Sequence, residues 1–72
     1  MPIIEVTTWT GITDDKAREL MESLTRTTVD VLKCPLDKVT VYVSEVPKAR
    51  WSEAGTIGSD PDWATKSRRQ GY

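Results

Sequence analysis

A single long amphipathic segment lies between two short β-type runs, and this order constrains the fold more than any other feature of the chain. From Asp14 onward, apolar side chains recur at helical spacing, which predicts a helix over 14–33. Thr13 is a favourable N-cap residue, and Pro35 ends the helix at or before Cys34. The apolar stripe, expected to face the core, consists of Ala17, Leu20, Met21, Leu24, Val31 and Leu32.

The two flanking runs are predicted to be strands over 2–9 and 39–46, because both are rich in β-branched residues. In the second run, valines alternate with polar residues, so the valines are expected to face the helix. In the first run, Ile3 and Ile4 are adjacent and point to opposite faces, which indicates that both faces of this strand are covered.

A helical crossover of this length joins parallel strands and should be right-handed. The sequence therefore predicts an α+β fold built on a βαβ unit, followed by a short hairpin near 50–58. Residues 1–58 are expected to form one domain, and the polar, basic residues 59–72 a tail or an arm lying on a neighbour.

The composition limits how so short a chain gains stability. Its 72 residues include one cysteine and no histidine, which excludes an internal disulfide and the usual zinc ligand sets. Self-association is therefore the expected source of additional stability. A net charge of −1 and the lack of a long apolar run give no indication of a nucleic-acid or membrane partner. A lone Cys34 and the absence of a signal-peptide pattern favour the cytoplasm.

The residue with the most distinctive chemistry is Pro2. The initiator methionine is usually removed before a small residue such as proline, and this would leave Pro2 with a free secondary amine. An α-amine has a pKa of about 8 in water, so near neutral pH it can serve as a general base. Parallel strands start at the same sheet edge, which places Pro2 near Lys38, Val39 and Thr40. Alternatively, Pro2 is simply a residue tolerated at the start of a strand.

Several short motifs occur in a consistent register: Pro2-Ile3-Ile4-Glu5-Val6, Gly11 before Thr13-Asp14-Asp15, Pro35-Leu36 before a valine-rich strand, Glu45-Val46, and Trp51 with Gly55. Together they resemble the 4-oxalocrotonate tautomerase family over about residues 2–58. That resemblance implies a βαβ fold, a four-stranded sheet in each dimer and assembly into a hexamer. It also implies an amino-terminal proline that moves protons on enol or dienol acids without a cofactor.

The chain departs from this family at the positions that bind the substrate's oxygen atoms. The family's two arginines correspond here to Ile12 and Thr40, and neither side chain can form a bidentate, charge-assisted pair with a carboxylate. The family's aromatic wall corresponds to Trp51. Glu53 occupies the position of the water-activating glutamate in one chain of the related trans-3-chloroacrylic acid dehalogenase, whose paired arginines are replaced by Trp9 and Ile12.

The sequence therefore supports three readings. The first is a keto–enol tautomerase for a small 2-oxo or 2-hydroxy-dienoate acid, acting as a homohexamer built from three dimers. The second is a hydratase or dehalogenase of unsaturated acids that uses Pro2 with Glu53. The third is a non-catalytic chain or one subunit of a hetero-oligomer. The candidate catalytic residue is Pro2, Lys48 is a further nearby cation, and the candidate substrate-binding residues are Trp9, Lys38, Thr40, Arg50, Trp51 and Glu53.

Overall fold

The computed structural model describes all 72 residues and forms a parallel βαβ unit followed by a small hairpin and a short helix. The elements are β1 (Ile3–Trp9), α1 (Asp14–Leu32), β2 (Thr40–Val46), β3 (Ser52–Glu53), β4 (Thr56–Ile57) and α2 (Trp63–Lys66). Strands β1 and β2 are parallel, with Ile3 opposite Thr40 and Trp9 opposite Val46. The predicted βαβ unit and hairpin are confirmed, and β1, α1 and β2 are each one residue shorter than predicted.

Helix α1 begins and ends where its local chemistry indicates. The Thr13 hydroxyl accepts a hydrogen bond from the Lys16 backbone N–H at 3.2 Å, which satisfies one of the free donors of the first turn. The helix ends at Lys33, which has a left-handed φ of 55° and donates its backbone N–H to the Val29 carbonyl. This C-terminal cap explains why Lys33 lies outside the helix.

The two faces of the β1–β2 sheet have different surroundings. Val41 and Val43 line a groove together with Ala17 and Met21 of α1, so the valines face the helix as predicted. The opposite face is open within this chain; its exposed members include Ile3, Glu5, Thr7, Thr40 and Tyr42. Within a single chain only one face of β1 is covered, because α1 is the only element long enough to cover the sheet and it lies on one side.

A pair of neighbouring side chains on the open face has coupled electrostatics. Glu5 and Tyr42 are directly opposite each other in the parallel ladder. The negative charge of the Glu5 carboxylate, followed by partial burial and a hydrogen bond between the two groups, raises the pKa of the Tyr42 phenol. The phenol therefore stays protonated near neutral pH and remains a hydrogen-bond donor.

The chain has no apolar core of its own. Only Thr56 and Ser67 are buried, and no hydrophobic side chain reaches that level. Val31 and Leu32, which were expected in the core, are 69% and 60% exposed, respectively. The radius of gyration is 16.4 Å, whereas a compact domain of this length would have about 11 Å. Extended shape and exposed apolar side chains together indicate surfaces suited to packing against other chains.

The β3–β4 hairpin turns through two residues with positive φ, Ala54 at 52° and Gly55 at 74°. Positive φ at both central positions gives a two-residue turn the twist that suits a hairpin, and glycine adopts it without strain. Beyond the hairpin, α2 leads into residues 63–72, called the C-terminal arm below. No helix in the structure combines the length and apolar character needed to cross a membrane.

Candidate functional site

Pro2 is held at the amino end of the sheet by the first hydrogen bond of the ladder. The Thr40 backbone N–H donates to the Pro2 carbonyl at 3.0 Å, so Pro2 lies beside the start of β2 as the parallel geometry requires. Lys38, at the end of a single 3₁₀ turn (Leu36–Lys38), precedes β2 at the same edge. Pro2 is half-buried, whereas Lys38 and Thr40 are exposed. This end of the sheet thus brings together one candidate catalytic residue and two candidate binding residues.

The three tryptophans form a cluster at the opposite end of the sheet. The Trp9 ring makes edge-to-face contacts with Trp51 and Trp63, with centroid distances of 6.4 Å and 5.4 Å. Lys48 Nζ lies 4.9 Å from the Trp9 ring centroid, a favourable cation–π distance. The indole N–H of Trp9 is buried without a hydrogen-bond partner within the chain.

Glu53 connects this aromatic cluster to the C-terminal arm. Its Oε2 accepts a hydrogen bond from Trp51 Nε1 at 3.1 Å, and its Oε1 accepts one from Arg68 Nη1 at 2.8 Å. The hydrogen bond from Trp51, and after it the hydrogen bond and charge of Arg68, lower the pKa of the Glu53 carboxyl. Glu53 is therefore ionised at neutral pH, and both of its oxygens already have donors.

The arm has further anchors on the β3–β4 hairpin. Arg69 Nε donates to the Ala54 carbonyl at 3.0 Å, and the Arg69 guanidinium lies 4.3 Å from the centre of the Tyr72 ring. Gly55 lies against the Tyr72 hydroxyl and has no Cβ that would overlap it. The sequence did not identify Arg68, Arg69 or Tyr72 as residues of the site. The one signal it offers is that the cations near the C-terminus have no acidic neighbours in the sequence.

The candidate residues therefore form two groups. Pro2, Lys38 and Thr40 lie at the amino end of the strands, and the tryptophan end contains the others: Trp9, Arg50, Trp51 and Glu53. Pro2 and Trp9 are seven steps apart along the strand, a distance of roughly 23 Å at the usual rise of a strand. A groove of about 220 Å³ at the tryptophan end is lined by Thr7, Thr8, Trp9, Trp51 and Glu53. Pro2 does not reach this groove within the same chain.

Comparisons with known proteins decide the family. A family model described as "Tautomerase enzyme" matches residues 2–60. This chain belongs to the tautomerase family. A probable tautomerase of Ralstonia nicotianae is 42% identical over 55 residues, covering 76% of this chain and 79% of that protein. The 2-hydroxymuconate tautomerase of Comamonas testosteroni is 29% identical over 60 residues, covering 83% of this chain and 95% of that protein.

A solved structure of a 4-oxalocrotonate tautomerase homologue has the same fold. It superimposes with a TM-score of 0.78 at 33% identity, and the match covers 83% of this chain and 95% of that one. The fold of this chain is therefore the βαβ arrangement of the 4-oxalocrotonate tautomerases. The matched part of the family model ends at residue 60, so the C-terminal arm lies outside it.

A larger groove, of about 270 Å³, runs between α1 and β2 and contains Ile12. Its charged lining residues are Asp14 and Glu45, and no cation lines it. The Glu45 carboxylate also accepts a hydrogen bond from the Gly11 backbone N–H at 3.3 Å. Two carboxylates without a cation repel an anionic ligand, so this groove does not suit an organic acid. The chain also has no cluster of three or more His, Cys, Asp or Glu side chains placed to bind a metal ion.

Proposed function

We propose that this protein is a cofactor-independent keto–enol tautomerase of a small 2-oxo or 2-hydroxy-dienoate acid, with the amine of Pro2 as general base. The observation that carries the proposal is the position of Pro2. Its carbonyl is fixed by the Thr40 N–H at 3.0 Å, and its nitrogen is at the edge where β1 begins. Membership of the tautomerase family, through a match that starts at residue 2, supports the same role.

The proposed reaction moves one proton and leaves the composition of the acid unchanged. The neutral Pro2 amine accepts the proton of the 2-hydroxyl group while the C2–O bond becomes a carbonyl. The electron pair of the enol double bond then takes a proton from the Pro2 ammonium at carbon. An α-amine has a pKa of about 8, and an apolar wall or a nearby cation lowers it toward neutrality. Both protonation states of Pro2 are then available in one catalytic cycle.

This role requires removal of Met1. A retained methionine would convert the Pro2 nitrogen into an amide, which has no basic lone pair. Met1 is 86% exposed, so no packing in the folded chain protects it from an aminopeptidase. Removal of Met1 is therefore part of the proposal.

We further propose that the complete site forms between copies of the chain, in the homohexameric assembly that the family resemblance implies. Within one chain, Pro2 and Trp51 lie at opposite ends of the sheet. The open sheet face includes Ile3, which is 62% exposed, and Tyr42, which is 45% exposed, and a second copy can pack on it. A second copy could then place the Trp51 end beside the Pro2 of the first. Trp9 and Trp51 would wall the site, and Arg50 and Lys38 would add positive potential from the two ends.

The hydratase alternative has less support. A water-activating carboxylate works best with a pKa near the working pH, and donors bound to its oxygens weaken it as a base. Both oxygens of Glu53 accept hydrogen bonds, from Trp51 and Arg68, and these bonds lower its pKa. The contacts of Glu53 therefore favour a structural role over base catalysis.

The first test is ketonisation of phenylenolpyruvate by purified protein whose intact mass shows loss of Met1. Pro2→Ala should lower kcat/KM at least about 100-fold, because general-base catalysis contributes 10²–10⁴ in rate. A variant with an uncleaved amino-terminal extension should be equally inactive, because it keeps the proline ring but not the basic nitrogen.

Pro61→Ala is the matched control, since Pro61 is exposed and lies in the turn before α2. It should retain the activity of the unmodified protein. Full turnover by Pro2→Ala, or by the extended variant, would rule out Pro2 as the base. If the unmodified protein with a free Pro2 gives no turnover of any enol acid, the non-catalytic reading replaces the tautomerase proposal.

A further inference from the structure

The substrate class proposed above needs a cation for its carboxylate, and the two family positions for one carry Ile12 and Thr40. We propose that Arg68, from the C-terminal arm, supplies this cation; the inference rests on the proposed function. Arg68 lies outside the region matched by the family model, which ends at residue 60. The carboxylate-binding group would thus come from a segment that the family match does not include.

The contacts of Glu53 place Arg68 next to the candidate aromatic wall. The same carboxylate accepts from Trp51 Nε1 at 3.1 Å and from Arg68 Nη1 at 2.8 Å. The guanidinium is therefore hydrogen-bonded to Glu53, which lines the groove together with Trp9 and Trp51. An organic acid whose unsaturated chain lies against Trp51 would have its carboxylate within reach of Arg68.

Arg68 keeps most of its hydrogen-bonding capacity. Its side chain is 70% exposed and forms a hydrogen bond only with Glu53. A guanidinium has five N–H donors in a planar fork, so the edge not used by Glu53 can bind a carboxylate through two hydrogen bonds. Glu53 offsets part of the charge of Arg68, and Lys48 over the Trp9 ring is a second cation close to the groove.

The arm holds Arg68 in place before any ligand binds. Ser67, the preceding residue, is one of only two buried residues in the chain. On the other side, Arg69 Nε donates to the Ala54 carbonyl at 3.0 Å, and Tyr72 packs on the Arg69 guanidinium. With its backbone held on both sides and its side chain bonded to Glu53, Arg68 loses less conformational entropy on binding than a free surface side chain.

The other cations of this end are less suitable. Lys48 is engaged with the Trp9 ring, and Arg69 has its Nε bonded to Ala54 and its face covered by Tyr72. Arg50 makes one long contact of 3.4 Å to the carbonyl of its neighbour Ala49, and no carboxylate orients it. Arg68 alone combines a free guanidinium edge with a fixed position beside Trp51.

The kinetic test compares an enol acid with its methyl ester, which lacks the negative charge. Arg68→Ala should raise KM for phenylenolpyruvate about 10- to 100-fold, the range for losing a hydrogen bond to a charged group. KM for the ester should change less than about twofold, and Arg68→Lys should recover part of the loss. Arg26→Ala is the matched control, because Arg26 is 73% exposed and pairs with Glu22 on α1; it should change neither value.

A binding test separates this inference from the proposed reaction. Cinnamate has a carboxylate but no enol, and cinnamamide is its uncharged counterpart; both can be titrated by tryptophan fluorescence. The unmodified protein should bind cinnamate more tightly than cinnamamide, and Arg68→Ala should remove that preference even in a Pro2→Ala background. The role of Arg68 would be overturned if Arg68→Ala weakened the binding of cinnamate and cinnamamide equally, or weakened neither. It would also be overturned if the unmodified protein bound the two ligands equally well. Full activity of Pro2→Ala would instead overturn the proposed reaction alone.

Discussion

Glu53 is the residue on which the tryptophan end depends. Its position is set by the β3–β4 hairpin, in which it is opposite Thr56, and its two oxygens bind donors from residues 2 and 15 positions away. Because these bonds lower the pKa of the carboxyl, they are stronger to the ionised form than to the protonated form. Attachment of the arm and the ionisation of Glu53 are therefore linked.

The sign of this linkage gives a pH prediction. A carboxyl whose folded-state pKa is depressed stabilises the folded state above its ordinary pKa of about 4.3, and this contribution is lost as pH falls through the lower folded value. The arm should therefore be docked most firmly at neutral pH and undergo partial detachment below about pH 4. Detachment is measured as a change in tryptophan fluorescence and as faster amide exchange in residues 67–72.

Glu53→Gln is the test variant, because the amide cannot become charged. It should show weaker docking at pH 7 and a much smaller change between pH 7 and pH 3. Glu19→Gln, which alters an exposed carboxylate paired with Lys16 on α1, should behave like the unmodified protein. An acid transition that is unaltered in Glu53→Gln would contradict the assignment to this carboxyl.

At the scale of the elements, the parts that follow from local sequence are β1, α1 and β2. Alternation of valines, helical spacing of apolar residues and the Thr13 cap are local signals, and the parallel pairing that sets Pro2 beside Thr40 follows from the length of the crossover. The C-terminal arm has no such signal, since α2 has four residues and short helices are unstable alone. Its position depends on contacts with Trp9, Glu53 and Ala54, which only the folded chain brings together.

Gly55 provides a test of how the arm is fitted to the hairpin. Gly55→Ala should destabilise the hairpin by about 1–2 kcal/mol, because its φ of 74° is left-handed. The added methyl group would also displace the Tyr72 hydroxyl, so the arm should become sensitive to limited proteolysis. Gly71→Ala is the control, because a Cβ at Gly71 meets nothing within 4 Å.

A double variant separates the two effects of Gly55→Ala. In a Tyr72→Ala background the overlap with the Tyr72 hydroxyl is absent, so only the backbone cost should remain. The loss of stability, measured by thermal unfolding, should therefore be smaller than in the chain that retains Tyr72. If Gly55→Ala lowered the stability equally in both backgrounds, the Tyr72 hydroxyl would make no steric contact with the added methyl group.

The whole molecule has two features that point to assembly. No hydrophobic side chain is buried, so one chain exposes apolar surface that a partner could cover. The proposed catalytic residue, Pro2, also lies at one end of β1, and the proposed aromatic wall of Trp9 and Trp51 lies at its other end. The sequence alone could identify Pro2 and Trp51 as candidates, but their separation along β1 is known only from the folded chain.

The shared site proposed between copies makes a prediction about mixtures of variants. Pro2→Ala should be inactive because it lacks the base, and Trp51→Ala should have reduced activity because its wall is missing. If Pro2 of one copy works beside Trp51 of another, a mixed assembly contains some sites with both residues intact. The activity of the co-refolded mixture, divided by its amount of Trp51→Ala chain, should therefore exceed the specific activity of Trp51→Ala alone.

The controls for this experiment address assembly directly. Ile3→Lys places a charge on the open sheet face and should lower the molar mass measured by light scattering, whereas Glu22→Lys on the exposed side of α1 should not. Co-refolding in the Ile3→Lys background should give no gain in activity, because no mixed sites form. A mixture with only the summed activity of its separate variants, at full assembly, would mean that Pro2 and Trp51 do not act in one site.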